Sequence, residues 1–157
     1  MTMGVYKLVG VWAEKGKQER DVFSKFIFYY FCFNALTAHF SQEDRDRAML
    51  NWIYANDNPI KTEFGKLVEA NDYFQNSLTT LKGYGKVYDN RKKYQQKFVE
   101  VKDIKNINEV LDVVYQIRCN LFHGSKSPSE VRDQKLASTA SRILGKLVGC
   151  VLANNRP

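Results

Sequence analysis

Residues 108–124 read Asn108-Glu109-Val110-Leu111-Asp112-Val113-Val114-Tyr115-Gln116-Ile117-Arg118-Cys119-Asn120-Leu121-Phe122-His123-Gly124. Val110, Val113, Val114, Ile117 and Leu121 recur at helical spacing, which puts one apolar stripe on one face of an α-helix. The pattern begins at about Asn106 or Asn108. It ends at Gly124, because glycine readily takes the left-handed backbone that closes a helix. A helix with so continuous a stripe has to bury it against other helices, and the flanking sequence supplies them.

Upstream, Gln18 to Phe40 carries aromatic and aliphatic residues on almost every face, among them Phe23, Phe26, Tyr29, Tyr30, Phe33 and Leu36. A helix that is apolar all round lies at the centre of a bundle or is covered by a partner subunit. Ser41 reads as the start of a second helix with Glu43 and Asp44 in its first turn, reaching about Ala55. Asn56-Asp57-Asn58-Pro59 is a turn, and Pro59 suits the first position of a third helix running to about Leu81. Gly83 and Gly85 end that helix. Between Lys86 and Lys102 the pattern weakens into a short helix or a loop, with Phe98 to Val101 briefly extended. Beyond Gly124 comes a loop, and Ser127 or Ser129 can cap a last helix to about Ala153. Its inward residues are expected to be Val131, Leu136, Ala140, Ile143, Leu144, Leu147, Val148 and Val151.

The expectation is an all-α fold: one domain over residues 1–157, a bundle of about four to six helices, with room for an irregular segment over 1–16. At 157 residues the chain can bury about two-thirds of its unfolded surface. The aromatic first helix argues for a two-fold homodimer. Lys and Arg number 24 against 17 Asp and Glu, a net charge of +7 that favours polyanionic partners, RNA among them. Cys32, Cys119 and Cys150 are odd in number and fit no zinc or Cys-x-x-Cys spacing, which suits a reducing cytoplasm. The apolar stretch near Val5 to Trp12 is short, contains Lys7 and lacks a cleavage site. Phe26 to Phe40 holds Asn34 and His39 and is too short for a membrane span, so a cytoplasmic location without membrane is expected.

Two histidines and three scattered cysteines offer no metal site, and no glycine-rich phosphate loop is present, so no cofactor is expected. His39, alone on an apolar helix, reads as structural. The chemistry-bearing residues are Arg118 and His123. Arginine can neutralise a phosphate, and histidine can move protons near neutral pH. Five residues apart on an ideal helix they stand roughly 140° from each other. They converge only if the last turn relaxes or if a two-fold mate completes a shared cleft. The plain alternative pairs Arg118 with an acidic residue and leaves His123 as a helix cap.

The segment Val114 to Gly124, with its Arg-x4-His spacing, resembles the signature of HEPN domains. The upstream Phe33-Asn34-Ala35-Leu36 on an aromatic helix, the motif near the end of a penultimate helix and the final amphipathic helix extend the likeness over most of the chain. The resemblance implies a helical bundle that usually dimerises and places both motifs in one cleft. For many members it implies metal-independent endoribonuclease activity, often as a toxin or antiviral effector. Carried over to this chain, Arg118 and His123 match the catalytic pair. Arg118 would bind the scissile phosphate, and His123 would assist proton transfer as the 2′-OH attacks. Asn120 would orient the phosphate or the arginine, or cap the helix end. Cys119 departs from the Asn, Asp or His that many active members carry directly after the arginine. Lys126 and the cluster Arg91-Lys92-Lys93 are candidates for RNA contact, with solvated surface lysines as the alternative. An antitoxin or other regulatory protein is a further expected partner. Other members of the superfamily are non-catalytic, which leaves an RNA- or protein-binding helical module as the second reading.

Overall fold

The computed structural model describes residues 3–91, 97–123 and 130–155. Among them are seven helices and one small hairpin: α1 (Met3–Gln18), α2 (Val22–Ser41), α3 (Asp46–Ala55), α4 (Pro59–Ala70), α5 (Asp72–Gly83), β1 (Val87–Tyr88), β2 (Phe98–Val99), α6 (Ile107–Phe122) and α7 (Val131–Asn155). The fold is mostly all-α, as expected, but the helices are more numerous than the four to six expected.

Three differences separate the structure from the expectation, and the first and third raise the number of helices. First, α1 occupies the segment read as irregular. Val9 is fully buried, and Val5, Tyr6, Trp12 and Ala13 pack on the core from the same helix. Second, Ser41 closes α2 rather than starting the next helix. Gln42 takes a left-handed turn (φ 59°), and α3 begins only at Asp46. Third, the run from Pro59 to Leu81 breaks at Asn71. Its backbone N–H donates to the Leu67 carbonyl to close α4, and its side chain accepts the Phe74 N–H at 2.8 Å to open α5. One asparagine does both jobs, since its short side chain competes with helical hydrogen bonding.

The start of α4 follows the expectation: Pro59 stands in the first turn, and Asn58 caps it by accepting the Lys61 N–H. The segment after α5 is neither helix nor plain loop at its ends. β1 and β2 pair antiparallel, with Val87 opposite Val99 and Tyr88 opposite Phe98. The capping expected of Ser127 or Ser129 falls outside the described residues.

The core gathers on α7, which packs against α1, α2, α4, α5 and α6. Leu136, Ala140, Ile143, Leu144, Leu147, Val148 and Val151 are all buried there. Val131 is the exception at 61 % exposed, because no helical turn precedes it to be covered. By length and composition α7 is the one described helix apolar enough to cross a membrane, yet 61 % of its apolar window lies buried in the bundle. The aromatic surplus of α2 is absorbed largely within the chain. Phe26, Tyr30, Phe33 and Leu36 face the core. Trp12 of α1 stacks on Phe28 and meets Phe31 edge-on. Phe31 stays 42 % exposed beside Leu8 and Val11 of α1, also exposed.

Candidate functional site at the end of helix α6

Arg118 stands in the last full turn of α6, between the buried stripe and solvent. Its Nη2 approaches the Asp46 carboxylate at 3.3 Å, its guanidinium lies 4.6 Å from the centre of the Phe122 ring, and the Tyr30 ring is 5.8 Å away. Phe122 sits one helical turn on, and an aromatic side chain there leans back toward the N-terminus, over Arg118. Its Nε is buried and has no hydrogen-bond partner. An unmade bond from a buried donor costs about 1–3 kcal/mol, so this guanidinium is held without being satisfied. The side chain is 30 % exposed. Burial keeps the nearby Tyr30 phenol protonated far above its usual range, and Asp46 adds to that effect.

Beside this pair, Arg47 bonds the Asp112 carboxylate at 3.0 Å, and the Tyr54 hydroxyl donates to the same oxygen at 2.7 Å. The Arg47 guanidinium also lies over the Tyr115 ring. The first turn of α3 thus grips α6 through two neighbouring residues, Asp46 and Arg47.

His123 caps α6, its backbone N–H donating to the Cys119 carbonyl at 3.0 Å, and its residue is exposed. Its charged neighbour is Asp89, which follows β1. Hydrogen bonds from Arg91, the shortest at 2.6 Å, hold the Asp89 carboxyl below the usual carboxylate range, and His123 acts in the same direction. Arg118 therefore faces α2 and α3, and His123 ends the same helix within electrostatic reach of Asp89.

Asn120 lies inside the structure, two residues beyond Arg118. It is fully buried, and its carboxamide is taken up by the hairpin. Its Oδ1 accepts the Asn90 N–H at 3.1 Å and the Gln116 Nε2 at 3.0 Å, while its Nδ2 donates to the Tyr88 carbonyl at 2.8 Å. Its bonds to Tyr88 and Asn90 bracket Asp89 in the chain. Arg91, expected as an RNA contact, is engaged with Asp89 and remains 44 % exposed. Lys92, Lys93 and Lys126 lie outside the described residues.

Sequence reasoning missed Asp46 and Asp89. Asp46 sits in the first turn of α3, where helix-start electrostatics explained the acidic residues, and Asp89 has no local pattern. His39 is structural, as expected, with its ring edge-on to Tyr6 and Phe40. Cys32 is buried, and burial pushes its thiol up to about 12. Among the described residues no group of His, Cys, Asp or Glu is placed to hold a metal ion. Comparison with protein-family models, with curated proteins and with solved structures finds no match for this chain.

Proposed function

We propose that this chain is a metal-independent endoribonuclease of toxin–antitoxin or phage-defence type, acting in the cytoplasm as a two-fold homodimer whose Arg118 and His123 residues share one cleft. The observation that carries the reading is the state of Arg118. A permanent cation stands at a helix end with one carboxylate contact and an unbonded Nε, against the ring of Phe122, and the exposed His123 follows Phe122 in the chain. A phosphodiester supplies the acceptors that this guanidinium lacks.

In the reaction, Arg118 binds the non-bridging phosphate oxygens and stabilises the charge that grows on them. The ribose 2′-oxygen attacks phosphorus and loses its proton, the P–O5′ bond breaks, and the 5′-oxygen gains a proton. The products are a 2′,3′-cyclic phosphate and a 5′-hydroxyl. His123 assists the proton transfer: it accepts the 2′-OH proton as the attack proceeds, and the leaving 5′-oxygen takes its proton from solvent. Asn120 holds the hairpin that carries Asp89.

One observation favours the second reading, a non-catalytic module that binds RNA or protein. The Asp46–Arg118 contact is also what a purely structural ion pair looks like. Cleavage of a mixed RNA in EDTA separates the two. Wild type is expected to cut and to leave 2′,3′-cyclic phosphate ends. Arg118→Ala and His123→Ala, each folded by circular dichroism, are expected to lose about 100- to 10,000-fold in rate. Absence of cutting by wild type, or equal cutting by all three proteins, removes the enzyme reading.

A further inference from the structure

A second site lies away from α6. Where the end of α1, the turn into α2, α5 and α7 meet, the surface opens into a cleft of about 580 Å³. Its lining brings together Lys17, Arg20 and Lys25 from the α1–α2 side and Arg142 and Lys146 from α7. Glu19 is the one carboxylate in that lining. It is occupied locally, accepting the backbone N–H groups of Arg20 and Asp21 at 3.0 Å each. Among the described residues none of the five cations forms an ion pair with a carboxylate. Their polar contacts are weaker ones: Lys25 Nζ lies 3.5 Å from the Lys17 carbonyl, and Arg142 donates to Thr139 Oγ1 at 3.1 Å.

Five like charges around one bounded cleft repel one another, and a compact polyanion relieves that repulsion. Two tyrosines, Tyr29 and Tyr73, also line the cleft. The Tyr29 ring lies so close to Gly16 and Gly145 that a Cβ on either would come within 3.1 and 3.0 Å of it. Tyr73, on α5, is 53 % exposed at the rim and offers a ring face for stacking. Clefts of this volume match small ligands, whereas an RNA backbone would be tracked by cations strung along a stripe.

We propose that this cleft binds a nucleoside polyphosphate, with the five cations on the phosphates and Tyr73 stacked on the base. The proposal stands apart from the ribonuclease reading, since no residue of α6 or the hairpin lines the cleft.

Calorimetric titration tests it with three probes: ATP, inorganic tripolyphosphate and a short single-stranded RNA. ATP is expected to bind wild type and to weaken about tenfold or more in the double variant Arg142→Gln, Lys146→Gln. Tyr73→Ala, at an exposed position, is expected to weaken ATP about tenfold while leaving tripolyphosphate unchanged. The proposal is overturned if wild type does not bind ATP, if the charge variant binds ATP as well as wild type, or if Tyr73→Ala weakens neither probe or both alike. It is overturned also if RNA alone binds and the charge variant abolishes that binding, which would make the cleft a polyanion track.

Discussion

Asn120 joins the two halves of the candidate site. Its carboxamide is fully buried and bridges Tyr88 and Asn90, which flank Asp89 on the far side of the hairpin. Truncation to alanine removes the side-chain partner of the Tyr88 carbonyl and of the Asn90 N–H, both in part-buried hydrogen bonds. Asn120→Ala is therefore expected to destabilise the fold by about 1–3 kcal/mol, measured by denaturant unfolding. Cleavage activity, if it depends on Asp89 beside His123, should fall in the protein that remains folded. A stability equal to wild type would show that the hairpin is held by other contacts. The residues of the motif were legible because Arg-x4-His is a local spacing. Their partners were not. Asp46, Asp89 and Asn90 reach α6 through tertiary packing, which no local pattern encodes.

At the scale of elements, the legible parts are those with local signals. Pro59 after Asn58 marks the start of α4, and the valine stripe marks α6. The break at Asn71 carries no glycine or proline, and α1 is interrupted in sequence by Gly4, Gly10 and Gly16, so both escaped a reading by periodicity. Gly16 and Gly145 have a packing reason that appears only in three dimensions. The Tyr29 ring is wedged between them and cannot retreat from one without meeting the other. Gly145→Ala gains about 1 kcal/mol in helix propensity but forces that ring to move, which costs about 1–3 kcal/mol. It is expected to lower the thermal midpoint. Gly65→Ala, in α4 with nothing near the new methyl, is expected to raise it, by about 1 kcal/mol of stability. Differential scanning calorimetry on both variants reads the contrast, and a rise for Gly145→Ala would mean that Tyr29 is free to shift.

The whole molecule poses the question that its parts leave open, namely how Arg118 and His123 come to act on one phosphate. Within the chain Arg118 faces Asp46 and Tyr30, and His123 follows five residues later at the exposed helix end, roughly 140° around an ideal helix. Two-fold symmetry offers a way round, because the arginine of one copy can meet the histidine of the other across the axis. The exposed Phe122, which carries the Arg118 guanidinium on its ring, provides apolar surface at that end of the molecule. This geometry has a consequence that a site built within one chain does not share. A mixed dimer of Arg118→Ala with His123→Ala retains one intact arginine and one intact histidine, on different chains. If the site is built across the axis, that dimer holds one complete site. If it is built within each chain, it holds none. Mixing the two inactive proteins and allowing subunits to exchange is expected to restore about a quarter of wild-type cleavage, since half the dimers are mixed and each has one site of two. Native mass spectrometry of the mixture confirms that mixed dimers form. Mixed dimers without cleavage would place the whole site in a single chain, and the last turn of α6 would then have to relax to bring the two side chains together.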